Sequence, residues 1–291
     1  MNILIKKKEG MRASLRFAVS LLTALVLTAM LSATASAAHA KIPVRWDSVS
    51  GSTALDDDAY LIGGVTYVPF RAFCVLAGNC EVGWNASTRT ATAKTAAGAT
   101  IRARVGDEYI EFGERVFYTV APVRIVNDRL YVPIRPMAKC FGIEVGWHGA
   151  SRSVYLERTG ITPRHDAGFY DGDALYWLSR IISAESKSEP FRGQIAVGNV
   201  VLNRVDSQSY PGTIYGVIFD KKFGVQFTPT VNGAIYAKPT ADAVRAAKIC
   251  LEGYTLSDRI LYFFNPAIAQ SHWISQNCTY AFRIGGHVFY S

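Results

Sequence analysis

The sequence predicts an α+β protein in two unlike halves: a β-rich duplicated strand–helix–strand module, then a domain that opens with two helices. Three observations carry this. One motif recurs at a period of about 64 residues, the stretch between its copies is β-branched and aromatic, and beyond residue 172 the apolar residues fall on helical stripes. The chain has 291 residues, 49% hydrophobic and 19% charged, which is globular composition. At roughly 150 residues per domain it holds about two domains.

The N-terminus is read as a targeting segment. Lys6, Lys7, Lys8, Arg12 and Arg16 precede an apolar run from Phe17 to Leu31. Ala35-Ser36-Ala37 and Ala38-His39-Ala40 follow as small-x-small cleavage signals, so residues 1–40 are expected to be a secretory signal peptide. A run of about fifteen apolar residues is short for a membrane span, and no cysteine near the cleavage site offers a lipid anchor. No stable membrane anchor is expected after cleavage. Of 31 basic and 23 acidic residues, 26 and 22 remain beyond Ala37, a balance of +4. That suits an anionic wall polymer, and export makes nucleic acid a poor partner.

The repeat organises residues 43–157. Tyr67-Val68-Pro69-Phe70-Arg71 recurs as Tyr131-Val132-Pro133-Ile134-Arg135, and Glu81-Val82-Gly83-Trp84 as Glu144-Val145-Gly146-Trp147. In each unit a tight turn (Gly63-Gly64, then Asn127-Asp128) leads into a short strand. Proline then opens a helix, which Gly78 or Gly142 ends, and a strand carrying the tryptophan follows. Because Trp84 and Trp147 recur in a packing motif, they are read as core residues, with sugar-stacking platforms as the alternative.

Cys74 with Cys80, and Cys250 with Cys278, are plausible disulfides in an exported chain, leaving Cys140 over. Five free thiols are the equal alternative. The histidines, His39, His148, His165, His272 and His287, are scattered with no ligand spacing, so neither a metal nor a cofactor is expected.

Gly160, Pro163, Gly168 and Gly172 mark residues 158–172 as a linker to a second domain at 173–291. Asp173 is the expected N-cap of the next helix. On that helix Leu175, Leu178, Ile181 and Ile182 form an apolar stripe, and Glu185 falls inside it, about 20° from Leu178 at 100° per residue. A carboxylate there is costly unless functional; burial would raise its pKa and keep it a proton donor near neutral pH. The other reading is a helix-end glutamate turned to solvent. Glu189 precedes Pro190, so the helix should end before it. A buried helix follows over 191–205, in which Gln194 is read as a structural hydrogen-bonding group.

Two resemblances emerge from these motifs. The doubled tyrosine-valine-proline-x-arginine and valine-glycine-tryptophan motifs resemble the copper amine oxidase N-terminal-like domain, a stalk or targeting unit here read without copper. The second domain resembles the SleB cell-wall hydrolases, the spore cortex-lytic type. Its motifs are Ile182-x-x-Glu185, Glu189-Pro190, Gly193-Gln194-x-Ala196-Val197 and Leu202-Asn203-Arg204-Val205, then Gln226-Phe227, Asn232-Gly233, Phe264-Asn265-Pro266, Trp273 and Ile284-Gly285-Gly286-His287-x-Phe289-Tyr290. Ser186-Lys187-Ser188 stands where the family usually has a glycine, and both glutamates are retained.

The resemblance implies a lysozyme-like α+β domain that cleaves peptidoglycan glycan strands between N-acetylmuramic acid and N-acetylglucosamine, outside the cytoplasm, at the cell wall or spore. It maps the catalytic acid to Glu185. Glu189, Gln226, Phe227, Asn265 and Tyr290 are the expected substrate-contacting residues. A lytic transglycosylase needs one carboxylate, whereas a hydrolase needs two, with Glu189 best placed for the second. The alternatives are that two-carboxylate muramidase and a non-catalytic envelope-binding protein. Tyr236, Tyr262, Phe264 and Trp273 are further candidates for a sugar groove, and His287 is read as a structural hydrogen-bonder rather than a base. Residues 43–157 are expected to fold alone and to bind wall material.

Overall fold

The two repeats form two copies of one unit, joined through their central strands. The structure is a computed structural model that describes residues 40–46, 55, 59–222, 224–269 and 271–291. The expected signal peptide therefore lies almost wholly outside the described residues. Contacts divide the chain after Ala40, and Lys41–Ser291 form one unit.

In chain order the first half contains β1 (Val44–Trp46), β2 (Tyr60–Ile62), β3 (Val65–Pro69), α1 (Phe70–Gly78), β4 (Glu81–Asn85) and β5 (Thr90–Lys94). Then come β6 (Thr100–Arg104), β7 (Tyr109–Phe112) and β8 (Arg115–Tyr118). The second repeat supplies β9 (Arg124–Val126), β10 (Arg129–Pro133), α2 (Ile134–Lys139), β11 (Ile143–His148) and β12 (Ser153–Arg158). Both predicted turns are present. Gly63-Gly64 and Asn127-Asp128 all have positive φ, the backbone that a tight two-residue hairpin demands. Strands β2, β3, β10 and β9 lie side by side in that order; β4 to β8 form an antiparallel meander; and β11, β12 and β1 make a third sheet, with β1 parallel to β12. Val68, Phe70, Phe73, Ile101, Val132 and Met137 are among the residues of the core they enclose.

One expectation is corrected here. Trp84 and Trp147 are not core residues but are 46% and 50% exposed. Each shares a strand face with a half-buried valine two residues earlier, Val82 or Val145, and continues that face beyond the core into an open groove. All five cysteines are free thiols, four of them buried.

The second half opens with α3 (Gly172–Ser186) and α4 (Phe191–Asp206). The N-cap of α3 is Asp171, not Asp173: its carboxylate accepts the Ala174 N–H at 2.8 Å. The chain turns into the helix two residues earlier than the sequence suggested, leaving Asp173 in the first turn, where it complements the helix dipole. As expected, α3 stops before Glu189 and Pro190 precedes α4. After α5 (Ile214–Phe219) and α6 (Pro229–Asn232), α7 (Ala241–Leu251) packs across both α3 and α4. A sheet of β13 (Tyr262–Phe264), β14 (Tyr280–Ile284) and β15 (His287–Tyr290), with β15 central, completes the fold; α8 (Trp273–Asn277) lies between β13 and β14 in sequence. The α+β class is as predicted.

The halves share a core. Val116 and Tyr118 of β8 are buried in the hydrophobic cluster of the second half with Leu178, Ile195 and Phe289. Tyr118 meets Tyr254 at 4.5 Å between ring centroids, and Tyr109 meets Phe191 at 5.6 Å.

Candidate active site

Helix α3 is amphipathic, with Leu178, Ile181 and Ile182 fully buried, and its last turn carries Glu185 to the wall of a cavity of about 890 Å³. The cavity is assembled from distant segments. Arg204 comes from the end of α4, Val225 to Thr228 from a loop, Tyr262 to Phe264 from β13, Asn265, Ile268 and Ala269 from the next loop, Trp273 and Ile274 from α8, and His287 from β15. Among the described residues lining it, Glu185 is the only carboxylate.

Glu185 is half-buried and, among the described residues, receives no hydrogen bond and faces no cation. Burial alone therefore acts on it and pushes its pKa up to about 7. A group so placed holds a proton near neutral pH and can also lose it, as a general acid that later serves as base must.

Glu189 sits differently. It does not line the cavity. Its Oε2 accepts the Gly286 N–H at 2.8 Å, and its Oε1 lies 4.0 Å from His287 Nε2. It thereby clamps the turn between β14 and β15. Gly285 has φ +57°, and a Cβ there would run into the Glu189 carboxylate, so the turn requires glycine. His287 is buried, which pulls its pKa below the ordinary value, with Glu189 opposing.

Gln226 accepts from Arg204 Nη1 at 3.5 Å and donates to the Gly224 carbonyl at 3.2 Å. Phe227 is buried, with one face on the cavity. Asn265 lines it too, its Oδ1 accepting the Ala267 N–H at 3.0 Å. Of the six residues named from the sequence, the structure gathers Glu185, Gln226, Phe227 and Asn265 around one cavity. It does not bring Tyr290 there: Tyr290 is buried in the sheet against Phe264 and Tyr280. Of the other aromatic candidates, Tyr262, Phe264 and Trp273 line the cavity, whereas Tyr236 is exposed and packs towards Trp177. Gln194 is buried and donates to the Glu189 carbonyl at 3.1 Å, the structural role expected of it.

Sequence reasoning placed Arg204 in a motif but gave it no role at the site. It is 5% exposed, donates from Nε to the Leu261 carbonyl at 2.8 Å, and lies over the rings of Tyr210, Phe227 and Tyr262. Burial lowers its pKa. The available signal was an arginine next to Asn203 on a helix that is mostly buried.

Comparison with known proteins gives this architecture its class. Residues 188–290 match the family described as Cell Wall Hydrolase, a range that begins three residues after Glu185. Residues 37–156 match the Copper amine oxidase N-terminal domain. The second half of the chain thus carries a cell wall hydrolase domain, and the first half a copper amine oxidase N-terminal domain. The chain is 37% identical over 120 residues to the spore cortex-lytic enzyme of Bacillus cereus strain ATCC 14579, covering 41% of this chain and 45% of that protein. It is 36% identical over 122 residues to the spore cortex-lytic enzyme of Bacillus subtilis strain 168, covering 42% and 38%. The chain thus spans less than half the length of these curated relatives. Among solved structures it is similar to the catalytic domain of the germination-specific lytic transglycosylase SleB from Bacillus anthracis. Identity there is 35% and the TM-score 0.39, covering 43% of this chain and 100% of that one.

Proposed function

We propose that this chain is an exported lytic transglycosylase of peptidoglycan, cleaving the bond between N-acetylmuramic acid and N-acetylglucosamine with Glu185 as its single acid and base. The observation that carries this is half-buried Glu185 on the cavity wall, the one carboxylate there among the described residues, its pKa pushed up to about 7. Protonated Glu185 gives its proton to the glycosidic oxygen as the C1–O bond breaks, so the leaving sugar departs as a neutral alcohol. The resulting carboxylate takes the proton of the muramic acid 6-hydroxyl while that oxygen bonds to C1. A 1,6-anhydro end forms and Glu185 regains its proton. No water and no second carboxylate is consumed, which fits the engagement of Glu189 with the Gly286 amide. Aromatic side chains on the cavity, Tyr262, Phe264 and Trp273, offer faces for sugar rings. The signal-like N-terminus supports action outside the cytoplasm.

The test is mass spectrometry of muropeptides released from purified peptidoglycan. Anhydro ends, and an inert Glu185→Gln variant, are expected. Reducing muramic ends, with Glu185→Gln and Glu189→Gln equally inactive, would replace this reading with the two-carboxylate hydrolase.

A further inference from the structure

The register of the central strands relates the two repeats by a local two-fold axis. Tyr131 pairs with Pro69, Val132 with Val68 and Pro133 with Tyr67. Each residue thus faces the repeat-equivalent of its opposite neighbour, and the axis passes through the Val68–Val132 pair. A consequence is that the groove between one unit's helix and the other unit's hairpin has a twin built by exchanging the units. One groove joins Arg71 and Val75 of α1 and Val82 and Trp84 of β4 to Ile125 and Leu130 of the opposite hairpin. Its twin joins Arg135 of α2 and Val145 and Trp147 of β11 to Leu61 and Val65 of the other hairpin. The cavities measure about 900 and 430 Å³.

Both grooves keep a feature that folding disfavours. Trp84 and Trp147 are about half exposed, and among the described residues neither ring stacks on another ring or a cation. Each stands beside an arginine with no carboxylate partner among the described residues: Arg71 is exposed, and Arg135 donates only to the Val145 carbonyl, at 2.9 Å. The second groove also holds Val120 at φ 55°, a strained backbone for a β-branched residue. No acidic residue lines that groove among the described residues, and the first has Arg71 and Arg129 against Asp128.

We propose that these dyad-related grooves are paired binding sites for anionic, N-acetylated glycan, one strand to each groove. The pyranose ring lies on the tryptophan, the acetyl methyl on the apolar floor, and a carboxylate of the peptide borne by the glycan meets the helix arginine. A flat aromatic face, an apolar floor and one cation match that polymer in shape and charge. Choosing it as occupant rests on the function proposed above. The axis makes the two sites antiparallel, so one copy of the chain can hold two neighbouring strands of opposite direction, and retention gains from bivalency.

The test uses the full chain carrying Glu185→Gln, so that binding is read without digestion, and protease-stripped sacculi in a sedimentation assay. Trp84→Ala and Trp147→Ala should each weaken retention on the order of tenfold, the loss typical of an anchor tryptophan. Together they should weaken it on the order of 100-fold or more, as avidity disappears. Unfolding temperatures should match the parent, and Trp→Tyr at either position should restore most of the binding. Added salt should loosen the complex, and uncharged chitin should be held less well than sacculi. Sedimentation of the doubly substituted chain like its parent would overturn the proposal. So would equal retention on chitin, or grooves that retain a protein but not stripped sacculi. If the unsubstituted chain releases no muropeptides while retention still depends on both tryptophans, the cleavage reading fails and this one stands.

Discussion

Glu185 combines burial with isolation. Water is partly excluded, and no donor among the described residues compensates the charge. Its folded pKa of about 7 lies above the ordinary 4.5, so folding favours the protonated form. The sign follows: this group's contribution to stability is greatest at low pH and declines as pH rises from about 4.5 to about 7. Glu185→Gln removes the ionisable group, so the variant should be more stable than the parent near pH 8, by about 1–2 kcal/mol once solvent access to the cleft is allowed for. Near pH 4 the two should be equal. Thermal melts at both pH values check this, and equal melting at the higher pH would contradict it. Activity should fall on the order of 10²–10⁴-fold in the same variant. In the parent it should fall with a single deprotonation as pH rises through about 7. Glu189→Gln keeps an acceptor for the Gly286 amide, so it should cost far less activity than Glu185→Gln. Glu189→Ala orphans that amide and should cost about 1–3 kcal/mol of stability in urea unfolding.

At the scale of elements, α4 aligns one wall of the cleft. Asn199 Nδ2 donates to the Tyr254 carbonyl and its Oδ1 accepts the Leu256 N–H, both at 2.9 Å. Asn203 donates to the carbonyls of Ser257 and Ile260, at 3.0 and 2.9 Å. With Arg204 on Leu261, these bonds lead the chain into β13 and its cavity-lining Tyr262, Phe263 and Phe264. Asn203→Ala leaves two carbonyls short of a donor and should cost about 1–3 kcal/mol. It should also raise KM more than a surface substitution would, because β13 loses its alignment; unchanged urea unfolding would refute this. What the sequence revealed and what it hid divide along the same line. The repeats, both hairpin turns, the end of α3 before Glu189 and the buried character of α4 were legible, because each rests on contacts a few residues apart. Glu185 was legible because a charge interrupted an apolar stripe. The cap at Asp171, the exposure of Trp84 and Trp147, and the absence of Tyr290 from the cavity were not. The last two depend on where distant segments come to rest, as does a cleft drawn from stretches scattered between residues 185 and 287, whereas the cap turned on which of two nearby aspartates the first turn of α3 meets.

At the scale of the molecule, the two halves are joined by more than residues 158–172. Arg115 of β8 grips Glu252, just beyond α7, with two bonds: Nε to Oε1 at 2.8 Å and Nη2 to Oε2 at 2.6 Å. Tyr170 donates to the same carboxylate at 2.8 Å, and the Arg115 guanidinium lies 4.0 Å from the Phe169 ring centroid. The paired side chains are only 16% and 7% exposed. Lys248 with Glu114 at 2.9 Å and Arg245 with Glu111 at 3.2 Å flank them. A 43–157 fragment on its own would uncover Val116, Tyr118 and Tyr109, so it should be less stable than the same residues in the whole chain. Shared packing also predicts one cooperative unfolding transition for residues 41–291, rather than one per half. Glu252→Ala strands a desolvated arginine and should lower stability by about 3–5 kcal/mol, the usual cost of breaking a buried pair from one side. Replacing both partners, Arg115→Met with Glu252→Leu, should recover much of that loss, because neither charge is then left buried alone. Calorimetry separates the outcomes. Two transitions in the parent, or a Glu252→Ala chain that melts as the parent does, would mean that the halves are merely tethered and that the ion pair contributes nothing to holding the tryptophan grooves in fixed relation to the cleft.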